Sequence, residues 1–312
     1  MRRLRKLLII RTDRMGDLLM SVPAIRAVRK GMPGAQIHLL MQKELRPLLE
    51  NHPDIDRLHS FEPGGDRGLP RLLRTALWMR RERFDAVLVM NPSKFFHTAS
   101  FLAGVPVRAG YRRKLGFLLN RSLPDTKAER NLHESEYNLE LARLLEIPAT
   151  AESLEIPVSP DGARAAARLL AWSGIPTGEK PVAIHPWTSN PAKGWPPERF
   201  WEAARRLQQS GRTVVLIGLP PPGNSVPLPA AGAIDLSGRT PLELLPALLK
   251  GCRLLLSNDS GPAHVAAAVG TPTVVVAAKE HERQLSRWRP LGPAHRTLID
   301  PSVEEVIRAC AS

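Results

Sequence analysis

Short apolar segments alternate with longer amphipathic segments along almost the whole chain. The apolar segments are nearly continuous in hydrophobic character, which is typical of β-strands covered on both faces. The longer segments have the pattern of α-helices. Strands are predicted at 6–10, 36–41, 85–90, 181–185, 213–218, 253–257 and 271–278, and helices at 18–30, 69–82, 135–146, 161–173, 197–210, 241–250 and 261–269.

This alternation predicts an α/β protein made of parallel sheets with crossover helices. A chain of 312 residues suits two domains of roughly 150 residues each, and two doubly wound domains are the natural packing. Prolines crowd around one helix between residues 150 and 181, so we place the boundary after residue 157. The proline-rich segment 218–229 is predicted to be an irregular surface loop. Ligands of such folds bind where strand carboxyl ends meet helix amino ends.

The net charge of the chain indicates which classes of binding partner suit it. The chain carries +14 at pH 7, with 27 basic and 18 acidic residues in 1–156 against 17 and 12 in 157–312. Such an excess suits nucleic acid, an anionic membrane surface or a phosphorylated substrate. Solvated helix faces would explain any single basic cluster about as well. Aromatic residues make up only 5% of the chain, which is few for stacking bases, so we expect no nucleic-acid partner.

Several classes of protein are disfavoured by what the sequence lacks. The two cysteines, Cys252 and Cys310, are in no CxxC or Cys/His pattern, which argues against disulfides and structural zinc. No apolar run approaches the roughly 18–20 residues of a transmembrane helix, so we expect no transmembrane segment. The apolar run near the N-terminus ends at Arg11 and is interpreted as a strand, so a cytoplasmic protein is expected. Dinucleotide-fold, P-loop, HExxH and Gly-x-Ser-x-Gly motifs are absent. No DxD pair stands at the end of a predicted strand, where it would hold a divalent ion on a diphosphate.

The segment RTDRMGD (11–17) follows the first predicted strand and precedes a helix. Gly16 would let the backbone turn tightly, and Asp17 would lie at or near the N-cap of the helix. An N-cap Asp stabilises a helix by roughly 1 kcal/mol, so Asp17 has a structural interpretation beside a catalytic one. Asp13 is more ambiguous still, since it can simply pair with Arg11 or Arg14.

A polar loop, HPWTSNPAKGW, begins at the end of the predicted strand 181–185 and leads into a helix. Thr188, Ser189 and Lys193 are groups expected around a phosphate, the hydroxyls as hydrogen-bond donors and the lysine as a point charge. A solvated loop would explain this segment equally well.

The segment SNDSGPAHVAAAVG (257–270) joins a buried strand to a short helix of small residues. The amides of Ser260 and Gly261 would point at an anion, assisted by the helix dipole. Asp259 beside an anion would be unusual without a role such as binding a sugar hydroxyl. His264 lies one turn into the helix and could reach a phosphate, although a lone helix histidine is more often a surface or core residue.

These three segments together resemble the bacterial heptosyltransferases of glycosyltransferase family nine. KLLIIRTDRMGDLLMSVPAIRAVRK is similar to the opening of that family, and HPWTSNPAKGWPPERFWEAARRL to the segment that opens its C-terminal domain. SNDSGPAHVAAAVGTPTVVV resembles its Asp-Ser/Thr-Gly-Pro-x-His-x-Ala-Ala signature. The order and separation of the segments also match, so the resemblance covers nearly the whole chain.

The resemblance implies a GT-B fold of two Rossmann-like domains facing a central cleft. Residues 1–157 would bind the acceptor and 158–312 the nucleotide-sugar. The reaction would be an inverting, metal-independent transfer of a heptose or related sugar, from an ADP-linked donor to a lipopolysaccharide core-type acceptor. That acceptor would be an anionic glycolipid at the inner membrane surface, so peripheral association with its cytoplasmic face is expected. The nucleotide-sugar is a substrate, and no cofactor is expected.

The family pattern also assigns roles to the candidate residues. Asp17 matches the general base, whose carboxylate would take the proton of the acceptor hydroxyl. Lys193 matches the phosphate-binding lysine, and Asp259 to Gly261 match the donor-binding turn, with Asp259 on the sugar. Thr188, Ser189 and His264 are expected to assist at the diphosphate, whose developing charge these groups would stabilise. Asp13 and Arg14 are candidates for lining the cleft.

Two segments depart from the family pattern, and both fall in the donor half. Residues 277–292 read AAKEHERQLSRWRPLG, where members continue with an aromatic residue and Gly-Pro-Thr-Asp or similar. Residues 218–229 lack the Gly-Gly or acidic residue usual near the ribose. These departures leave the sugar and the nucleotide open.

Two other functions fit parts of the sequence. A sugar-nucleotide epimerase of the GT-B fold would need no acceptor. A non-enzymatic protein that binds anions or nucleic acid would account for the sequence pI of about 10.6.

Overall fold

The computed structural model of the protein describes residues 4–63, 68–150, 152–188, 194–219 and 232–311. The chain divides into two compact units, Met1–Ser153 and Leu154–Ser312. Each unit contains one six-stranded sheet whose neighbouring strands run parallel. The predicted α/β class is therefore confirmed. The assignment of acceptor and donor to the predicted domains 1–157 and 158–312 stays a prediction.

The first unit begins with its central strand. Its order across the sheet is β3-β2-β1-β4-β5-β6. In chain order its elements are β1 (Lys6–Arg11), α1 (Met15–Leu19), α2 (Val22–Gly31), β2 (Gln36–Gln42), β3 (Arg57–Phe61), α3 (Leu69–Glu82), β4 (Ala86–Val89), α4 (Lys94–Leu102), β5 (Val107–Tyr111), β6 (Arg121–Leu123) and α5 (Glu134–Arg143). Short 3-10 helices occupy Lys43–Leu48 and Gly116–Leu118.

The second unit repeats this plan with the order β12-β11-β10-β7-β8-β9. Its elements are α6 (Pro160–Trp172), β7 (Val182–His185), α7 (Pro197–Gln209), β8 (Val214–Leu216), β9 (Ile234–Asp235), α8 (Leu245–Gly251), β10 (Leu254–Asn258), α9 (Gly261–Ala268), β11 (Thr273–Ala277), α10 (Glu282–Trp288), β12 (His295–Ile299) and α11 (Val303–Ala311). A 3-10 helix, Lys279–His281, precedes α10.

The central strands of both sheets are fully buried. Every residue of β4, β7, β10 and β11 is buried, which explains their continuous apolar sequences. Burying one large aliphatic side chain contributes about 1.5–3 kcal/mol, so these strands stabilise their units strongly. Strands at or near the sheet edges, such as β3 and β12, are only partly buried. Their mixed sequences carry no comparable apolar signal, and they were not predicted.

The helix predicted at 18–30 is divided into α1 and α2, separated by two residues. Pro23 lies in the first turn of α2 and has no amide hydrogen to donate to the carbonyl of Leu19. The side-chain amide of Asn138 donates to the carbonyl of Met20 at this break, over 3.0 Å. The break places α1 as a separate short helix after β1.

Two further findings concern the cysteines and membrane-spanning helices. Cys252 and Cys310 are both free thiols, as predicted. Over the ranges that the structure describes, no helix has the length and apolar character needed to cross a bilayer.

Candidate active site

The RTDRMGD segment lies at the carboxyl edge of the first sheet. β1 ends at Arg11, and α1 begins four residues later at Met15 with Arg14 as its N-cap. Asp17 lies in the first turn of α1, three residues after the N-cap. Asp17 is therefore near the N-cap but is not the N-cap itself, and its carboxylate pairs with Arg11.

Gly16 has a different place from the one predicted. It lies inside α1 rather than in a tight turn, and it is not among the residues with positive φ. Because helical backbone angles are open to any residue, the conformation at this position does not require glycine. The chain turns instead at residues 12–14, which join β1 to α1.

Arg11 is the buried residue that organises this edge. Its side chain is 2% exposed. Its Nη2 lies 3.0 Å from Asp17 Oδ1, and its Nε lies 2.9 Å from Asp13 Oδ1 as an ion pair. A guanidinium is planar and holds its donors in a rigid fork. Arg11 therefore fixes both carboxyl groups of the segment relative to one another.

Residues distant in sequence complete the surroundings of Arg11. Its Nη2 also reaches Glu134 Oε1 at 3.3 Å, and its Nη1 donates to Asn138 Oδ1 at 3.2 Å, both on α5. Lys127 Nζ lies 2.8 Å from the same oxygen of Glu134. The network thus joins three carboxyl groups, those of Asp13, Asp17 and Glu134, to two cations.

The excess of carboxyl groups affects how this network binds protons. Burial raises the pKa of Asp13 to about 6, although the charge of Arg11 opposes that shift. The nearby Asp17 and Glu134 raise it further. Burial alone would lower the pKa of Arg11, but the carboxylates outweigh it and hold that pKa above its ordinary value. The carboxyl group of Asp13 therefore changes its charge near pH 6.

A cavity of about 640 Å³ opens beside this network in the first unit. Thr12, adjacent to Asp13, forms part of its wall, and Asn91 Nδ2 donates to the Thr12 hydroxyl over 3.4 Å. Two cationic and three aromatic residues also line it: Lys94, Lys114, Phe61, Phe95 and Phe96. Hydroxyl, amide, cationic and aromatic groups in one cavity suit a polar ring compound with an anionic substituent.

Arg14 is exposed at the N-cap of α1. Its side chain forms no hydrogen bond or ion pair with any residue in the described ranges, so Arg11 and not Arg14 is the partner of Asp13. Of the predicted residues in the first unit, the structure therefore brings Asp13 and Asp17 together.

The second sheet has its own polar carboxyl edge, formed where β10 ends at Asn258. Ser260 is the N-cap of α9, but its side chain does not cap the helix. Its Oγ lies 2.9 Å from Ser257 Oγ and 3.2 Å from His185 Nδ1. Within the described part of the chain, the amides of Ser260 and Gly261 donate to no acceptor. An anion at the start of α9 would be bound by such amides.

His185 ends β7, beside β10, and sequence reasoning did not assign it a role. Burial lowers its pKa to about 4, so its ring is neutral at physiological pH and can accept from a serine hydroxyl. Gly218 packs directly on it with φ +96°, and a Cβ there would lie 2.4 Å from the His185 ring. The sequence feature that could have identified His185 as a site residue is its position at the end of a predicted strand.

Asp259 is held from the other side of β10. Its Oδ2 lies 2.8 Å from Nε2 of His281, which ends the 3-10 helix after β11. His281 is 5% exposed. Sequence reasoning assigned no role to His281.

Asn258 ties down the polar loop that precedes α7. Its Oδ1 accepts from the amide of Trp195 at 2.8 Å, and its Nδ2 donates to the carbonyl of Pro186 at 2.6 Å. A Cβ on Gly194 would lie 2.9 Å from Thr188 Cγ2, so the two ends of the loop meet beside Asn258. Thr188 is thus near the turn after β10. The predicted phosphate-binding residues Ser189 and Lys193 lie outside the described residues, as does most of the predicted surface loop 218–229.

His264 is buried in α9, which fits the interpretation as a core residue at least as well as that of a phosphate ligand. As for metals, the described ranges contain no group of three or more His, Cys, Asp or Glu side chains that could hold an ion.

Comparison with known proteins identifies the family of this chain. The sequence profile of glycosyltransferase family 9 (heptosyltransferase) matches residues 72–301. Lipopolysaccharide heptosyltransferase 2 of Escherichia coli (strain K12) is 28% identical over 299 residues, covering 87% of this chain and 82% of that protein. Lipopolysaccharide heptosyltransferase 3 of the same strain is 26% identical over 290 residues, with coverage of 88% and 82%.

Solved structures share the fold. The glycosyl transferase family 9 protein from Veillonella parvula DSM 2008 has a TM-score of 0.88 at 20% identity, covering 98% of this chain and 96% of its own. The E. coli ADP-heptose lps heptosyltransferase II has a TM-score of 0.82 at 23% identity, with coverage of 98% and 97%. The fold is thus of the GT-B type predicted, and since the family profile spans most of its length, the chain belongs to glycosyltransferase family 9, the heptosyltransferases.

Proposed function

We propose that this glycosyltransferase moves a heptose from ADP-heptose to a lipopolysaccharide core-type acceptor, with inversion at the anomeric carbon and without a metal ion. The observation that carries the proposal is the Asp17 carboxylate, held 3.0 Å from the buried Arg11 at the carboxyl edge of the first sheet. The named relatives are lipopolysaccharide heptosyltransferases, which supports this choice of donor and acceptor.

Asp17 is the proposed general base. In an inverting displacement the acceptor oxygen forms a bond to the anomeric carbon as the bond from that carbon to the diphosphate breaks. The proton of the acceptor hydroxyl passes to the Asp17 carboxylate. Arg11 binds Oδ1 of Asp17, and the side chain of Asp17 is 20% exposed. A carboxylate that is both oriented and accessible meets the two geometric requirements of a base.

The leaving diphosphate is proposed to bind at the second sheet. Its charge grows in the transition state, so amide groups that point at it would act most at that stage. The amides of Ser260 and Gly261 at the start of α9 are suited to this role, and Thr188, Ser189 and Lys193 are proposed to complete it. Cationic and amide groups of this kind stabilise a leaving phosphate without a metal ion, which is why we propose metal independence.

The acceptor is proposed to occupy the cavity next to Thr12. Lys94 and Lys114 would attract an anionic substituent of the acceptor, and the phenyl rings of Phe61 and Phe95 would contact the apolar face of a sugar ring. A net excess of basic residues in the first half of the chain would draw the enzyme towards an anionic membrane leaflet, at its cytoplasmic face.

The test is a transfer assay with ADP-heptose and a deacylated lipopolysaccharide core acceptor. We expect a new glycosidic bond whose anomeric configuration, read by NMR, is opposite to that of the donor, and an undiminished rate in excess EDTA. Asp17→Asn should lower kcat by about 10²–10⁴-fold while the Kd for the donor stays near that of the wild type. Asp161→Asn, on the exposed start of α6, is the control and should leave kcat unchanged.

Three results would contradict separate parts of the proposal. Retention of configuration would exclude the single displacement, and loss of rate in EDTA would exclude metal independence. Conversion of ADP-heptose to an epimer in the absence of acceptor would favour the epimerase alternative.

A further inference from the structure

The turn after β10 is held between two histidines that come from the neighbouring strands of the sheet. β10 lies between β7 and β11. His185, at the end of β7, contacts the Ser260 hydroxyl at 3.2 Å. His281, just after β11, contacts the Asp259 carboxylate at 2.8 Å. Each of these two consecutive residues of the turn therefore has its own partner.

The contact between His281 and Asp259 is a buried one. The side chain of His281 is 6% exposed and that of Asp259 is 15% exposed. A buried polar group that lacks a partner destabilises the folded protein. The pair therefore keeps both side chains in one arrangement, in which Oδ2 of Asp259 faces the imidazole.

The other carboxylate oxygen of Asp259 has no such partner. Across the residues that the structure describes, Oδ1 accepts no hydrogen bond, while Oδ2 accepts one from His281. Since the carboxylate cannot rotate without breaking the contact of Oδ2, the direction of Oδ1 is fixed before any ligand arrives. A preorganised acceptor of this kind favours a hydroxyl donor placed in one direction.

His281 lies within 277–292, one of the two segments in which this chain departs from the family pattern. β11 ends at Ala277, and the 3-10 helix Lys279–His281 brings the chain back beside the turn after β10. The departure thus has a structural consequence at the donor half, because it supplies a ring that contacts the predicted sugar-binding carboxylate.

We propose that His281 is a positioning residue that fixes Asp259 for recognition of the donor sugar, holding Oδ2 so that Oδ1 accepts a hydrogen bond from a sugar hydroxyl. This inference rests on the proposed function, since it assumes a nucleotide-sugar at this edge. Beyond the proposed function, the inference is that discrimination among donor sugars depends on the segment after β11. Binding of the nucleotide diphosphate, which lacks the sugar, does not depend on it.

The variants separate the hydrogen bond from the bulk of the ring. His281→Gln retains an N–H donor, whereas His281→Phe retains the ring volume without a donor. His295→Phe is the matched control, because His295 also joins two strands of the same sheet through a hydrogen bond, to Thr273 at 3.0 Å. That bond lies at the opposite ends of β11 and β12 from the turn.

Calorimetry with ADP-heptose and with ADP supplies the readout. For His281→Phe we expect the Kd of ADP-heptose to rise about 10-fold, the effect of one lost hydrogen bond, and the Kd of ADP to stay within about twofold. His281→Gln should recover most of the affinity, and His295→Phe should bind both ligands as the wild type does.

A double variant provides an independent check. If His281 acts through Asp259, His281→Phe should add little to the loss caused by Asp259→Asn. Additive losses would overturn the inference, as would a parallel loss of ADP binding in His281→Phe or unchanged binding of ADP-heptose. If the wild type binds a different nucleotide-sugar in a thermal-shift screen, the donor assignment fails by itself. The same variants are then measured with that sugar and its free nucleotide diphosphate, with the same expected results.

Discussion

Arg11 Nη2 and Asp17 Oδ1 lie 3.0 Å apart, joining the last residue of β1 to the first turn of α1. The same guanidinium contacts Asp13 and Glu134. A buried charge is stable only when it is paired and hydrogen-bonded, and this one has partners in the RTDRMGD segment and in α5. The orientation of the proposed base therefore depends on the integrity of the first unit.

Replacing Arg11 with lysine should lower the rate of transfer without abolishing donor binding. The ammonium of Lys is a single point charge and cannot hold the three carboxyl groups in a planar fork. Misplacement of the base should lower kcat by about 10- to 100-fold, while the Kd of the donor changes little. Arg121→Lys is the control, since Arg121 pairs with Glu146 in a partly exposed ion pair. Steady-state kinetics and calorimetry check both numbers, and an unchanged kcat for Arg11→Lys would remove Arg11 from the positioning of the base.

Asp13→Asn should alter how stability depends on pH. The pKa of Asp13 in the folded protein is raised to about 6 from its ordinary value of 3.8, so the folded protein binds an extra proton between these two pH values. Ionising Asp13 therefore destabilises the folded state relative to the unfolded state. This loss of stability is absent below pH 3.8 and reaches its full size above pH 6.

We therefore expect the free energy of unfolding of Asp13→Asn, relative to the wild type, to be higher at pH 7.5 than at pH 4.5 by about 1–2 kcal/mol. Urea unfolding at the two pH values measures this difference. If the variant and the wild type differ in free energy of unfolding by the same amount at both pH values, burial does not raise the pKa of Asp13.

Gly218→Ala should destabilise the second unit by a steric contact as well as by backbone strain. Gly218 has φ +96°, and its Cβ would lie 2.4 Å from the His185 ring. Gly211→Ala supplies the matched control, because Gly211 has φ +81° with no atom within 4 Å of its Cβ. Strain alone should cost about 1 kcal/mol, and Gly218→Ala should cost about 1–3 kcal/mol more. Thermal unfolding measures the loss of stability in both variants. Equal losses would mean that the His185 ring moves away from the new Cβ without destabilising the protein.

Asn258→Ala should weaken binding of the free nucleotide diphosphate. Its side chain holds Pro186 and Trp195, on either side of the loop that carries Lys193. Loss of both hydrogen bonds should raise the Kd of ADP about 10-fold, and Lys193→Ala should weaken ADP binding as well. Asn120→Ala is the control, since Asn120 bridges Pro106 and Arg108 in the first unit by the same pair of contacts. If calorimetry finds the Kd of ADP unchanged in Lys193→Ala, that lysine does not bind the diphosphate.

The alternation of strands and helices was readable from the sequence because it follows from local periodicity. Seven strands were predicted, and each corresponds to a strand of the structure that is wholly or mainly buried. Family membership was equally readable, because the segments around Asp17, Lys193 and Asp259 occur in the expected order. The division of the first long helix was not predicted, although Pro23 marked its position.

The partners of the polar residues were decided by the tertiary structure alone. Glu134 meets Arg11 across 123 residues of chain, and His281 meets Asp259 across 22, so no local pattern links them. Strand order decides these contacts, because it determines which strand ends and helices lie side by side. The sequence by itself thus determined the α/β class, the family and the candidate base. Only the fold decided that Arg11 pairs with Asp17 and that His281 holds the carboxylate of Asp259, since buried charges must find partners wherever the chain brings them together.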